Sequence, residues 1–224
     1  MKKRVIITGA TGMVGKGVLL ECLDHDEIGE VLVIGRSPTN IKHPKLIELI
    51  HKDFSDFTDV SDQLRGWDAC YFCLGISAAG LKEEEYRRIT YGYTMSLANT
   101  LFKNSSEMTF NYVSGQGTDS SEKGSMMWAR VKGKTENDIL NLGFEKAFVF
   151  RPGAIIPLRG IKSRTKSYQF MYDYFMWLVK GIKAVSPNSV VNTTQIGVAM
   201  INTMLLGYDK KILKPKDMII LSEK

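Results

Sequence analysis

The sequence is short of the features that would place it outside the soluble globular proteins. It has three cysteines in 224 residues, an odd number that cannot close into a disulfide framework. It has no apolar run of about eighteen residues, so no membrane-crossing helix is expected. Its three histidines, His25, His43 and His51, show no ligand spacing for zinc. A secretory leader would have a longer apolar core and a small-residue cleavage site. Here Met1-Lys2-Lys3-Arg4 runs into a short apolar stretch that ends at Thr8-Gly9. Internal repeats, low-complexity tracts and linkers are also missing. What is present, 44% hydrophobic and 24% charged residues, excludes a disordered chain. A cytoplasmic protein with a sizeable core is the expectation.

Short apolar runs alternate with helical periodicity. Val5-Ile6-Ile7, Val31-Leu32-Val33-Ile34, Leu46–Ile50, Ala69–Leu74, Phe110–Val113 and Ala147–Phe150 read as six strands, most of them stopped by glycine or Arg151-Pro152-Gly153. Between them, Val14, Val18, Leu19 and Cys22 fall at helical spacing, and residues 82–103 and 126–142 read as helices, the latter closed by Gly143. Continuous apolar strands separated by helices predict an α/β fold: a Rossmann-like, doubly wound parallel sheet covered on both faces. After Pro157, helices are predicted over 165–183 and over 194–206, the second capped by Thr193 or Thr194. A last strand is predicted at Met218–Leu221. About 70 residues beyond the sixth strand are too few for a second domain. The chain therefore reads as a single domain over 1–224, with a small substrate-side elaboration over 158–224.

The segment Thr8-Gly9-Ala10-Thr11-Gly12-Met13-Val14-Gly15 follows the first strand and opens the first helix. Glycines at 9, 12 and 15 suit a tight turn, close approach of a pyrophosphate to the backbone, and helix-on-strand packing. The helix start offers amides and a positive dipole to an anion. This context points to a dinucleotide. An acidic residue at the end of the second strand would bind both ribose hydroxyls of NAD. The sequence has Gly35-Arg36-Ser37 instead, with Arg36 twenty-one positions beyond Gly15. Arg36 can pair with a 2′-phosphate and Ser37 can donate to it, so NADP is expected over NAD.

Taken together, these segments resemble the extended and atypical short-chain dehydrogenase/reductases, most of all the NmrA-like and Tat-interacting oxidoreductase-like proteins. The resemblance covers roughly residues 3–157. It implies that Thr8, Gly9, Thr11, Gly12, Met13, Val14 and Gly15 form the phosphate turn, and that Leu74-Gly75 borders the adenosine half. It puts Asp53-Phe54 near adenine and Arg151-Pro152-Gly153 beside the nicotinamide. Ser114 and Lys132 take the places of the family's serine and lysine. In the family's logic a tyrosine four residues before that lysine shares its helix face. The lysine binds the nicotinamide ribose and lowers the tyrosine's pKa, and the tyrosine moves a proton to or from the substrate oxygen. Here Trp128 stands in that place, and an indole N–H donates a hydrogen bond without relaying protons. Gly115 stands where members often carry a second serine.

Three readings follow. Another group supplies the proton, with Tyr112, Tyr86, Tyr91, Tyr93 and Tyr168 as candidates and Tyr112 placed on the strand face of Ser114 by its two-residue spacing. Alternatively, the acceptor takes its proton from water. In the third reading the protein binds NADP(H) as a sensor or protein-interaction module without turnover. The leading expectation is an oxidoreductase acting on a small carbonyl or similar apolar molecule.

Other features carry less. Cys70 and Cys73 have redox-pair spacing, but residues three apart on a strand face opposite ways; core packing is expected for them and for Cys22. Residues 159–183 hold six basic residues (Arg159, Lys162, Arg164, Lys166, Lys180, Lys183) against Asp173, with six aromatics that include Tyr168 and Trp177. A partly buried helix, a substrate pocket, a subunit contact and weak association with an anionic membrane surface all fit. Nucleic acid is a fourth option, the least favoured and not expected, because no binding motif accompanies the charge.

Overall fold

The computed structural model describes residues 1–161 and 189–224. Strand β1 (Lys3–Thr8) sends Val5 and Ile7 to one side and Ile6 to the other, and all three are fully buried. Successive side chains on a strand point to opposite faces, so a strand apolar at every position needs cover on both. The same pattern recurs in β2 (Ile28–Gly35), β4 (Ala69–Phe72), β5 (Thr109–Val113) and β6 (Lys146–Phe150). Strand β3 (Leu46–Ile50) lies at one edge with Ile47 and Ile50 half exposed, and β9 (Ile212–Leu213) lies at the other.

The seven strands run parallel in the order β3-β2-β1-β4-β5-β6-β9. From β1 the chain moves outward through β2 and β3, then returns to the other flank of β1 as β4. The connections diverge there and leave a crevice at the carboxyl ends of β1 and β4. One face packs against α1 (Met13–Asp24), α5 (Thr193–Leu206) and α6 (Pro215–Ser222), and the other against α3 (Tyr93–Asn104) and α4 (Met127–Asn141). The predicted helix over 82–103 is α2 (Glu83–Arg87), a π turn (Arg88–Gly92) and α3. A small parallel pair, β7 (Ala154–Ile156) with β8 (Val190–Asn192), follows β6. Cys70 on the α3–α4 side and Cys22 on the α1 side are fully buried, as core packing requires, whereas Cys73 is partly buried against the α1 side and borders the cavity at the strand ends. Among the described residues no helix is long and apolar enough to cross a membrane.

Two predicted elements need correction. Met218–Leu221 is not a strand but the middle of α6. Pro215 opens that helix, and the Asp217 carboxylate reaches back to accept from the Lys214 amide at 3.0 Å. Met218 and Leu221 are fully buried while Ile220 is exposed, which is a helical face. The cap of α5 is Asn192 rather than either threonine. Its Oδ1 accepts from the Gln195 amide at 2.7 Å, and Gln195 Oε1 accepts from the Asn192 amide at 3.0 Å. Thr193 and Thr194 hold other partners, the Leu158 amide and Glu21. The predicted helix over 165–183 lies outside the described residues. Of its basic flank, Arg159 is described and pairs with Glu21 and Asp24.

Candidate functional site

A cavity of about 810 Å³ opens at the carboxyl ends of β1, β2, β4 and β5. Its floor is the glycine turn. Gly9 has φ +68°, and a Cβ there would stand 2.6 Å from the Cys73 carbonyl oxygen. At Gly15 a Cβ would stand 2.3 Å from the Gly9 carbonyl oxygen. Neither place can hold a side chain, so at these two positions backbone faces the cavity. Thr11, Gly12, Met13, Val14 and Gly15 line it, and no side chain caps α1. The first amides of that helix therefore lack protein acceptors. Thr8 is fully buried beneath the turn, off the cavity; its Oγ1 accepts from the Leu74 amide at 3.3 Å and holds the loop after β4 against the turn. Its predicted place in the lining is thereby corrected to a positioning one.

At the end of β2, Arg36 and Ser37 are exposed and line the cavity, and Arg36 makes no ion pair among the described residues. Phe54, Leu74 and Gly75 also line it. Asp53 does not. It faces solvent, and hydrogen bonds from the Ser55 hydroxyl and amide hold its carboxyl below the usual carboxylate range.

The far end is built by β5 and α4. Val113, Ser114, Gly115, Trp128 and Lys132 line it. Lys132 Nζ donates to the Ser114 carbonyl at 3.0 Å, and burial pushes its pKa down to about 8, against the opposing pull of Glu136. Ser114 Oγ donates to the Phe150 carbonyl at 3.2 Å. With its hydrogen committed, that hydroxyl faces a substrate only as an acceptor. A Cβ on Gly115 would meet open space.

Tyr112 does not join this group. It is 1% exposed, packs among the residues under α3 and α4, and borders no cavity. Burial raises its pKa, and its ring lies 5.9 Å below Lys132 Nζ. Strand β5 ends at Val113, so the two-residue period does not carry on to Ser114. Arg151, Pro152 and Gly153 also stand off the cavity. Arg151 Nε donates to both oxygens of the fully buried Glu136, at 2.9 and 3.1 Å, and its Nη2 reaches Glu136 and Ser120. A guanidinium beside a buried carboxylate is claimed by it. The Pro152 carbonyl accepts from the Gln116 amide at 2.9 Å, and Gly153 sits so close that a Cβ would stand 2.4 Å from Gln116 Oε1.

Sequence reasoning did not place the loop Ile76–Ala79, which lines the cavity with small side chains that carry no signal of their own. Nor did it rank Tyr86 above the other tyrosines. Tyr86 is the one tyrosine of the lining among the described residues. Tyr91 donates to Asp138 at 2.7 Å, outside it.

The volume, the glycine turn, the uncapped helix start and a basic rim fit a nicotinamide dinucleotide. Residues 5–121 match the NAD dependent epimerase/dehydratase family, and the chain belongs to that family. It is 29% identical to the Rattus norvegicus protein HTATIP2 over 156 residues, which cover 69% of this chain and 63% of that one. It is 28% identical to the mitochondrial protein FMP52 of Meyerozyma guilliermondii, covering 68% of this chain and 65% of that one. The chain thus spans less than two thirds of these curated relatives. Among solved structures it resembles a UDP-N-acetylglucosamine 4-epimerase from Methanobrevibacter ruminantium M1, with TM-score 0.71 and 15% identity over 95% of this chain and 76% of the other. A short chain dehydrogenase family protein from Francisella tularensis superposes with TM-score 0.66 and 16% identity over 94% and 93%. The fold is that of the atypical short-chain dehydrogenase-like NAD(P)-binding superfamily, and a nicotinamide dinucleotide is the cofactor class.

Proposed function

We propose that the protein is an NADPH-dependent oxidoreductase acting on a small carbonyl or similar apolar molecule. One observation carries the cofactor choice: no carboxylate lines the cavity among the described residues, while the unpaired Arg36 stands at the end of β2. A site for NAD calls for an acid there to take the ribose hydroxyls. Arg36 and Ser37 instead receive the 2′-phosphate, the glycine turn and the α1 amides hold the pyrophosphate, and Phe54, Leu74 and Gly75 flank the adenosine. Lys132 binds the nicotinamide ribose. When bound, the dinucleotide supplies a hydride. Trp128 and Val113 give the far end an apolar wall, and Ser114 Oγ, its hydrogen bonded to Phe150, offers a lone pair to a donor elsewhere on the substrate rather than a hydrogen bond to its carbonyl. The proton comes from Tyr86, the tyrosine in the lining, or from water, since Trp128 cannot relay one.

A second reading rests on the same far end. With Trp128 in the tyrosine's place and the Ser114 hydroxyl bonded to Phe150, the protein binds NADP(H) and reports it to a protein partner without turnover. A cytoplasmic location belongs to both readings and is checked by cell fractionation, because the FMP52 relatives are named mitochondrial. Titration of NADPH and NADH into the pure protein, followed by assay of NADPH oxidation with aldehydes, ketones and quinones, decides. Preference for NADPH with turnover supports the first reading, and preference without turnover the second. Equal or tighter binding of NADH rejects the cofactor assignment.

A further inference from the structure

The far end of the main cavity, built by β5 and α4, holds a side-chain donor that the fold leaves unused. Trp67, elsewhere in the chain, donates its indole N–H to the Gln63 carbonyl at 3.0 Å, as a buried indole usually does. Trp128 is partly buried and lines the cavity, one helical turn before Lys132. Its N–H has no acceptor among the described residues. The ring is nevertheless held in place. Gly117 has φ +88°, and a Cβ there would stand 3.2 Å from Trp128 Cη2, so the loop after β5 closes against the tip of the indole.

The other polar groups at this end are spoken for. Ser114 Oγ donates to the Phe150 carbonyl at 3.2 Å, and Lys132 Nζ gives a hydrogen to the Ser114 carbonyl at 3.0 Å. Tyr86 exposes only 1% of its surface. Cys73 also lines the cavity, beside the glycine turn, and burial pushes its thiol up to about 12. No histidine or carboxylate lines the cavity among the described residues. The wall thus offers a substrate oxygen a hydrogen bond from an indole, which does not give up its proton at neutral pH.

Such a wall suits some carbonyls and not others. Hydride addition to a simple ketone leaves an alkoxide, about as basic as hydroxide, with a conjugate acid near ~16. That anion needs an acid to protonate it as it forms. Hydride addition to a conjugated carbonyl leaves an enolate, or from a quinone a phenolate whose conjugate acid lies near that of tyrosine, about 10. About six powers of ten in basicity separate alkoxide from phenolate. The weaker base persists on a hydrogen bond until water protonates it.

We propose that the acceptor is a conjugated carbonyl, an enone or quinone, and that the Trp128 N–H holds the oxygen that becomes anionic. The inference rests on the NADPH-dependent oxidoreductase reading and narrows its substrate class. For an enone, hydride bonds to the β-carbon, the C=C pair shifts to join the α-carbon to the carbonyl carbon, and the C=O pair moves to oxygen. Water then protonates the α-carbon and leaves hydroxide. NADPH is oxidised to NADP and the enone is reduced to the saturated ketone. Ile76, Ala78, Ala79 and Val113 add apolar surface to the lining, in keeping with a ring that has little polarity beyond its carbonyl.

The test compares cyclohex-2-enone, 1,4-naphthoquinone and cyclohexanone as oxidants of saturating NADPH, corrected for the uncatalysed rate, in the native protein, Trp128→Phe and Trp128→Tyr. The native protein is expected to reduce the two conjugated acceptors about a hundredfold or more faster than cyclohexanone. Trp128→Phe keeps an aromatic ring and removes the N–H. It is expected to lower kcat on the enone by about ten- to hundredfold, with NADPH affinity held within about threefold. Trp128→Tyr supplies an acid and is expected to gain turnover of cyclohexanone. A second readout needs no turnover: 4-nitrophenolate, a stand-in for the anionic product oxygen, is titrated by absorbance into the complex with NADP. It is expected to bind the native protein about tenfold more tightly than Trp128→Phe. Reduction of cyclohexanone within about tenfold of the enone overturns the proposal, because an acid then reaches the oxygen. Unchanged enone turnover and unchanged nitrophenolate binding in Trp128→Phe overturn the role of the indole. Tight NADPH binding with none of the three acceptors reduced removes the oxidoreductase reading itself, and this substrate class with it.

Discussion

Around the glycine turn, Arg36 and Lys16 lack protein partners among the described residues and no side chain caps α1, whereas at the far end of the same cavity the polar groups, the Trp128 N–H aside, answer one another. There Lys132 donates to the Ser114 carbonyl, Ser114 Oγ to the Phe150 carbonyl, and Arg151 to Glu136 and Ser120. Polar groups shut away from water must be paired. The second end meets that demand internally; the first leaves its donors open to the cavity. In the proposed reading the cofactor is recognised by charge and backbone donors, and the acceptor meets a wall of Val113, Gly115 and Trp128. The two ends also differ in room: a Cβ is excluded at Gly9 and Gly15, yet has open space at Gly115.

The contrast breaks most visibly at Arg151. Glu136 is fully buried, and Arg151→Met removes its hydrogen-bonded ion-pair partner, leaving only the electrostatic pull between it and Lys132. The expected loss is about 3–5 kcal/mol of unfolding free energy in urea at neutral pH. NADPH affinity of the folded fraction should stay within about threefold. A loss below about 1 kcal/mol would mean that the far end is not held together by this pair. A large fall in affinity with intact stability would return Arg151 to the cofactor.

Gly15→Ala probes the opposite end. The added methyl must push the turn off the helix, and NADPH affinity is expected to fall by about a hundredfold or more, equivalent to about 2.7 kcal/mol. The stability cost should be smaller, about 1–3 kcal/mol for overpacking. Fluorescence titration and a urea melt measure the two quantities separately. Native-like NADPH binding in this variant would take the phosphate away from the turn, and the contrast between the ends would lose its first half.

How much of this was legible in the sequence follows the reach of each signal. The sheet was readable because two-sided burial makes strands uniformly apolar, and the turn because glycine spacing reports directly on where Cβ atoms have no room. Trp128 was readable from its four-residue offset to Lys132. Arg151 was not, since the buried carboxylate that claims it lies fifteen residues earlier on α4 and nothing local announces the pairing. Tyr112 misled because the strand period was extended one residue beyond the strand. Met218–Leu221 misled because four adjacent apolar residues have no period at all; the usable signals were Pro215 and Asp217 just before them. Asn192 with Gln195 three residues on has the capping-box spacing, a stronger signal than the threonines beside it. The cavity wall at Ile76–Ala79 had no local signature, being defined only by what the fold sets opposite it.

Lys132 belongs to both ends, and its titration gives the finest test. It lines the cavity and donates to Ser114, and burial lowers its pKa from an ordinary 10.5 to about 8. Below that value the ammonium is present to hold the ribose; above it the neutral amine is favoured. If the charged form is the one that binds, NADPH affinity is flat below about pH 7. It then falls by up to tenfold per unit above about pH 8, some two units earlier than an exposed lysine would cause. The stability of the free protein has the opposite slope. Because the folded pKa is the lower one, the unfolded chain binds more protons between about pH 8 and 10.5, so this group's contribution to stability rises with pH across that window. Weakening affinity while the native-minus-Lys132→Met stability difference improves therefore separates loss of the ligand's partner from alkaline unfolding. Lys132→Arg, charged throughout, should flatten the affinity profile; a profile that keeps its alkaline fall in this variant would assign the titration to another group.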